Sequence, residues 1–385
     1  MSRISYNSKA LGLYLHIPFC ASKCGYCDFY SLTDDARRKD YVAALLQHLR
    51  EYGKVCSGYT VDTVYLGGGT PSCLGPKYLT RILNEVKGCF RLAEDAEITV
   101  ECNPESTDKK LLDALKKSGV NRLSLGVQSA DDNELARIGR IHTFEEAKAA
   151  VELARERGFD NISLDLMYGL PEQTKQGFLH SVRQVLDLMP EHLSCYGLKL
   201  EPTTKMGREN PVLPEDDEQA EMYLAMCEML RESGFEHYEI SNFAKPGRRS
   251  RHNCKYWDLS EYLGLGPGAH SYMNGRRFEF ARDLKAYIGG ENIVQDEDEV
   301  ATYQRQGEYL MLRLRTAEGI DFIDLEKRYN IDSTPYEEAF RALLGRGLVA
   351  HQGTRWFLTE EGFLVSNSII NCIIEAGQPN IDTNT

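Results

Sequence analysis

Cys20, Cys24 and Cys27 follow one another with the spacing C-x-x-x-C-x-x-C in a short loop behind the apolar run that ends at His16. Thiolates that close in sequence can converge on one metal centre. Their softness selects an iron–sulfur cluster or zinc, yet a closed zinc site or a fully protein-ligated cluster takes four protein donors, and this loop offers three. One metal position is therefore left for a small ligand. The plainer alternative is three unrelated core thiols, since free cysteine is commonly buried.

Other residues of chemical interest recur just after apolar runs. Gly67-Gly68-Gly69-Thr70-Pro71 lets the backbone approach a ligand with no Cβ in the way, although alone it serves equally as a tight turn. Glu101 ends an apolar run, where a carboxylate needs a partner or solvent. Gln128 lies in Leu125-Gly126-Val127-Gln128-Ser129, Arg140 follows, and Asp165 comes late in the next run. Taken singly, each is more often structural than ligand-binding. An arginine and a carboxylate together make a strong, directional clamp.

The elements that must position these residues follow a βα rhythm up to about residue 200, which predicts a parallel sheet. Strands are expected at Leu11–His16, Thr63–Leu66, Glu97–Glu101, Arg122–Val127, Asn161–Met167 and Leu193–Leu200. Amphipathic helices are expected between them at Arg38–Tyr52, Lys77–Lys87, Asp108–Ser118, Phe144–Arg157 and Thr174–Leu188. Six such units without a seventh and eighth predict an α/β fold, an open, partial TIM-like barrel with its ligands at the C-terminal strand ends.

Residues 201–300 read as an extension of the barrel. It comprises an acidic, proline-bearing connection, a helix over Glu218–Ser233, an edge strand at Glu236–Ile240, and an irregular stretch from Ser241 to His270. Residues 301–385 read as a C-terminal helical and winged domain, with Gly347–Leu358 as the wing. Winged helices often bind DNA, but eight Lys or Arg against twelve Asp or Glu here favour a cover for the barrel or a protein contact.

Composition narrows the classes further. A formal net charge of −13 argues against a nucleic-acid partner, the one basic cluster being Lys245, Arg248, Arg249 and Arg251. Eleven cysteines, an odd count scattered outside the loop, suit a reducing compartment. No apolar run approaches the roughly 18 to 20 residues that span a bilayer, and Met1–Ala10 lacks a signal core. A soluble, cytoplasmic protein is expected.

The cysteine spacing, with aromatic Tyr26 just before Cys27, resembles the hallmark of the radical S-adenosylmethionine (SAM) superfamily. The resemblance implies that Cys20, Cys24 and Cys27 hold a 4Fe-4S cluster. It further implies that the free iron chelates SAM and that an electron from the cluster breaks the sulfonium bond to give a 5'-deoxyadenosyl radical, the protein supplying position. His16-Ile17-Pro18-Phe19-Cys20, the glycine motif, Gly126–Gln128, the segment Asp165–Thr174 and the wing together are similar to the family of oxygen-independent coproporphyrinogen III oxidase and its heme-chaperone relative, across nearly the whole chain. Carried over by position, the SAM contacts are Tyr14, Gly68, Gly69, Thr70, Glu101, Gln128, Arg140 and Asp165, with Tyr26 and Gly197 added.

Two features separate the relatives. The oxidase carries a further cysteine two residues past the third, and here that position is Phe29. His252-Asn253-Cys254-Lys255-Tyr256-Trp257 resembles a motif of the heme chaperones linked to heme binding. The resemblance therefore implies a chaperone that carries heme as cargo to client hemoproteins, cytoplasmic or in the respiratory membrane, with an electron donor for the cluster and a homodimer. Radical decarboxylation of coproporphyrinogen III propionates, or opening of the heme ring, are the enzymatic alternatives. His252, Asn253, Tyr256 and Trp257 are the heme candidates, with Cys254 as a second ligand candidate, and a hydrogen-bonded loop histidine is the equal alternative for His252. The basic residues just before the motif are candidates to receive heme propionates, or form a solvated loop.

Overall fold

The computed structural model describes residues 9–291, 294–299 and 302–377. Six strands, β1 (Lys9–Ile17), β2 (Tyr59–Gly68), β3 (Leu92–Cys102), β4 (Arg122–Gln128), β5 (Ile162–Tyr168) and β6 (His192–Gly197), lie side by side in chain order and run parallel. Strands covered on both faces need no polar alternation, and all of β4 is buried. The crossover helices are amphipathic: Leu79, Ile82, Leu83 and Val86 form the buried stripe of Gly75–Cys89, and Thr143 opens Phe144–Glu156 with a capping box. Register brings Ile17 beside Gly68, Cys102 beside Leu125, Gly126 beside Asp165 and Tyr168 beside Gly197, so the chemically interesting strand ends share one mouth.

The sheet does not stop at six strands. Beyond β6 lie β7 (Glu236–Glu239) and β8 (Asn242–Ala244), with β8 antiparallel to β6. Beyond β1 lie β9 (Tyr262–Leu265), parallel to it, and then β10 (His270–Met273), β11 (Arg276–Phe280) and β12 (Val294–Glu299), antiparallel in turn. The result is a twelve-stranded sheet whose two edges both come from residues 236–299.

The stretch from Ser241 to His270 is thus ordered, contrary to the expectation of irregular chain. It holds β8, the helix Arg251–Trp257 and β9. Its glycines disguised β9: a Cβ on Gly264 would lie 2.2 Å from the carbonyl oxygen of His270, so glycine there permits close strand approach. The helix has only seven residues, too few to show a period. β6 also ends at Gly197 rather than Leu200; the last ladder bond runs from Leu198 N to the Tyr168 carbonyl at 2.8 Å.

The C-terminal part begins with the helix Thr302–Arg313 and carries β13 (Ile320–Asp321) paired with the hairpin β14 (Val349–Gln352) and β15 (Arg355–Leu358), the expected wing. Trp356 is buried there against Phe322 and Phe340. Residues 1–8, most of the stretch read for a signal core, and the 300/301 boundary lie outside the described residues. Among the described residues no helix is long and apolar enough to cross a membrane.

Candidate functional site

The cysteine loop leaves β1 and is held from three sides by backbone bonds. Cys20 donates to Leu32 O at 3.0 Å, Gly25 donates to Ile138 O at 3.0 Å, and Met206 donates to Gly25 O at 2.8 Å. Side chains reach two of the sulfurs: Thr70 Oγ1 donates to Cys20 Sγ at 3.4 Å and Arg140 Nη1 to Cys24 Sγ at 3.5 Å. Burial raises the Cys20 and Cys27 thiols above their ordinary range, so as free thiols they stay protonated and a cation must draw out the thiolate.

The glycine motif ends β2 and clamps the same loop. Gly69 donates to Ile17 O at 2.9 Å and Thr70 to Phe19 O at 2.7 Å, and a Cβ on Gly69 would sit 2.7 Å from that Phe19 oxygen. Gly68 has φ +109°, a left-handed backbone that suits glycine, and its missing Cβ makes room for the His16 ring. Its amide donates to Glu101 Oε2 at 3.1 Å, while Tyr65 OH donates to Oε1 at 2.8 Å. Burial nevertheless pushes the Glu101 carboxyl up to about 7.

Arg140 is tied to the mouth by Nη2, which donates to Gly126 O at 2.6 Å and to Asn103 Oδ1 at 2.8 Å. Its buried Nε has no hydrogen-bond partner. Asp165, raised by burial, accepts from Ser124 Oγ at 3.3 Å and does not pair directly with Arg140. Gln128 closes β4 with φ +69°. Tyr26 packs against a small apolar group that includes Ile138, Met167 and Leu198, and Gly197 faces the Tyr168 ring. Tyr14 OH bonds His16 Nδ1 at 3.1 Å.

Asn103 and Tyr65 were not singled out from sequence, and His16 only as part of the motif leading to Cys20. Asn103 joins Arg140, Thr70 and Glu105 through its amide. Its place two residues past Glu101, in the polar break after β3, was the available signal.

The helix Arg251–Trp257 packs behind the first two strands, its His252 ring stacked on Tyr14 as well as on Tyr65. His252 is buried beneath the barrel mouth at 1% exposure, with Nδ1 on Thr63 Oγ1 at 2.9 Å and Nε2 on Tyr256 OH at 2.9 Å. Burial lowers its pKa to about 3. Asn253 N bonds the capping Ser250, and Trp257 lines a small hollow against Arg313 and Glu318. The basic residues ahead of the motif all have partners within the protein. Arg249 pairs with Glu236 and Glu318, Arg251 with Asp95 and Arg248 with Asp160, while Lys245 lies over the Phe235 ring. Carboxylates brought within reach by the fold pair with the three arginines.

The donor set fits a polynuclear centre. Among the described residues the three metal-type donors that lie within 4.8 Å of one another are Cys227, His237 and Glu360, far from the loop. Cys20, Cys24 and Cys27 are not all drawn within that distance, and three soft thiolates in one loop suit an iron–sulfur cluster. The unpartnered Arg140 Nε, the enclosed Glu101 carboxyl and the Gly67–Thr70 turn gather at the same strand ends, a set of groups suited to a ligand with a carboxylate, hydroxyls and an amine.

The chain matches the model of the radical SAM superfamily over residues 14–185 and that of the HemN C-terminal domain over residues 304–365. It is 36% identical to the heme chaperone HemW of Escherichia coli (strain K12), with 94% of this chain and 98% of that protein covered. It is 35% identical to the heme chaperone HemW of Bacillus subtilis (strain 168), again over 94% and 98%. Its fold is similar to that of the coproporphyrinogen III oxidase HemN from Escherichia coli, with TM-score 0.85 and 24% identity over 95% of this chain and 90% of the other. With a whole-length likeness of that degree and the three-cysteine mouth intact, the chain belongs to the HemW family within the radical SAM superfamily.

Proposed function

We propose that the protein is a heme chaperone that takes up heme and passes it to client hemoproteins, with a 4Fe-4S cluster and SAM as resident cofactors. The observation that carries this reading is end-to-end likeness to the HemW chaperones, combined with Phe29 where the oxidase places a cysteine. Cys20, Cys24 and Cys27 hold the cluster, and Thr70 and Arg140 stabilise the sulfurs by donating to them. Gly68, Gly69 and Thr70 offer backbone to the methionyl amine, Arg140 Nε faces the methionyl carboxylate, and Glu101 accepts from ribose hydroxyls. Gln128, Asp165, Tyr26 and Gly197 border the adenosine, and Tyr14 closes the β1 side. When both are bound, the cluster supplies one electron to the sulfonium. An electron donor, clients in the cytoplasm or the respiratory membrane, and a homodimer complete the reading.

The oxidase fold keeps decarboxylation of coproporphyrinogen III as a second reading. One anaerobic experiment separates them: the reconstituted, reduced protein is incubated with SAM and either heme or coproporphyrinogen III. Heme bound intact, with no decarboxylated porphyrin by mass spectrometry, supports the chaperone; decarboxylated product with 5'-deoxyadenosine makes it an oxidase. Replacing Cys20, Cys24 and Cys27 by serine is expected to abolish cluster absorbance and spare heme binding. Loss of both in a folded variant would mean the cluster is needed for cargo.

A further inference from the structure

Between the cysteine loop and the β9–β10 edge lies an open cleft of about 270 Å³, walled by Tyr14, Tyr30, Tyr256 and Tyr262 and flanked by His16, His270 and Arg282. Phe29, 68% exposed, stands at its rim. Tyrosine faces suit a flat conjugated ligand, and an exposed phenyl ring beside them extends that surface. Resting on the heme-chaperone reading, we propose that heme docks in this cleft, with His270 as its iron ligand and Arg282 receiving a propionate.

Three histidines reach this region, and their bonding separates them. His16 uses both nitrogens, Nδ1 toward Tyr14 OH and Nε2 toward Tyr30 O at 2.9 Å. His252 likewise uses both and is enclosed. His270 is 60% exposed, and its Nε2 makes an ion-pair contact at 2.9 Å with Oε2 of Glu279, its directly opposed partner across β10 and β11. That leaves Nδ1 without a partner among the described residues. A carboxylate beside one imidazole nitrogen orients the ring and leaves the other nitrogen for a metal, the arrangement metal-binding histidines generally have.

His252 then has a different part. Its Nε2 holds the Tyr256 hydroxyl, and Tyr256 is a wall of the cleft, so His252 is a positioning residue for cargo rather than its ligand. A cleft of this size encloses one edge of a macrocycle and leaves the rest in solvent. With His270 on one face of the iron, the other face stays open to a ligand from the client, which a hand-over needs.

The test is a titration of the full-length protein with hemin, read by the Soret and visible bands, for wild type and for H270G, E279Q and H252Q. H270G is expected to lose the histidine-ligated spectrum and at least tenfold in affinity, and added imidazole should restore the spectrum, which a merely structural role would not allow. E279Q should keep the spectrum with roughly tenfold weaker binding. H252Q should keep it with a smaller loss. Cluster incorporation checks folding, and E279Q carries the test if H270G does not fold. A wild-type spectrum in H270G, no imidazole rescue, or wild-type affinity in E279Q overturns the assignment while wild-type binding leaves the chaperone reading standing. No hemin binding by wild type removes both.

Discussion

Glu101 carries two opposed demands. Its carboxyl is enclosed and raised from an ordinary 4.5 to about 7, chiefly by desolvation. Between those values the folded protein holds a proton that the unfolded chain has released, so stability falls as pH rises from about 4.5 to about 7 and is level above. The share of this one group is on the order of 3 kcal/mol. E101Q is therefore expected to be more stable than wild type above pH 7 and to flatten the acid-side slope, measured by urea unfolding at several pH values. SAM affinity should move the other way. The ionised carboxylate is the better acceptor for two hydroxyls, so wild-type binding should strengthen from pH 6 to 8, and E101Q should bind about tenfold more weakly with no such rise. A parallel pH dependence in E101Q would remove Glu101 from the binding role.

The Arg140 fork makes a second residue-level prediction. Nη1 and Nη2 reach a sulfur, a carbonyl and the Asn103 amide at once, which an ammonium cannot imitate. R140K should retain the fold yet lose about tenfold or more in SAM affinity, read by calorimetry with the reconstituted protein.

At the scale of elements, the helix Arg251–Trp257 depends on a residue from another strand. Glu97, on β3, accepts from the amides of Arg251 and His252, both at 3.1 Å, and so satisfies the open end of the helix. E97Q keeps the size but loses the charge assistance. It is expected to cost about 1–3 kcal/mol and to speed amide exchange in residues 251–257 ahead of the rest of the sheet. Uniform exchange across the barrel would show that the helix is held by packing alone.

The same helix shows where sequence reading stops. Long parallel strands and amphipathic helices announce themselves by period, so β1 to β5 and the long crossover helices were legible to within about five residues, and register sets the cysteine loop, the glycine motif and Glu101 at one mouth. The edges were not legible. β9 carries Gly264 and runs straight into Gly266 and Gly268, which imitates a loop, and a seven-residue helix has no period to read. Partners were equally hidden: nothing local to Arg249 or Arg251 announces Glu318 or Asp95, and His252 looks available until Thr63 and Tyr256 are seen to hold it.

Over the whole molecule, the C-terminal part is joined to the β7–β8 edge by two kinds of contact. Backbone bonds run from Ile240 N to Arg315 O and from Ala317 N to Tyr238 O, both at 3.0 Å. Ion pairs add Arg231 with both oxygens of Glu360, Arg249 with Glu318, and Arg313 with Asp258. These pairs are partly exposed and contribute little each, and the wing has its own hydrophobic centre at Trp356. W356A should cost about 3–5 kcal/mol there. The variant retains Trp257, which lines the seam with Arg313 and Glu318, as its one tryptophan. Because the backbone bonds near residues 315–317 are independent of the wing, circular dichroism should report an early urea transition that Trp257 fluorescence does not follow until the barrel unfolds. Coincident transitions would mean that the wing and the barrel unfold as one body, and that the seam rather than Trp356 sets the stability of the C-terminal part.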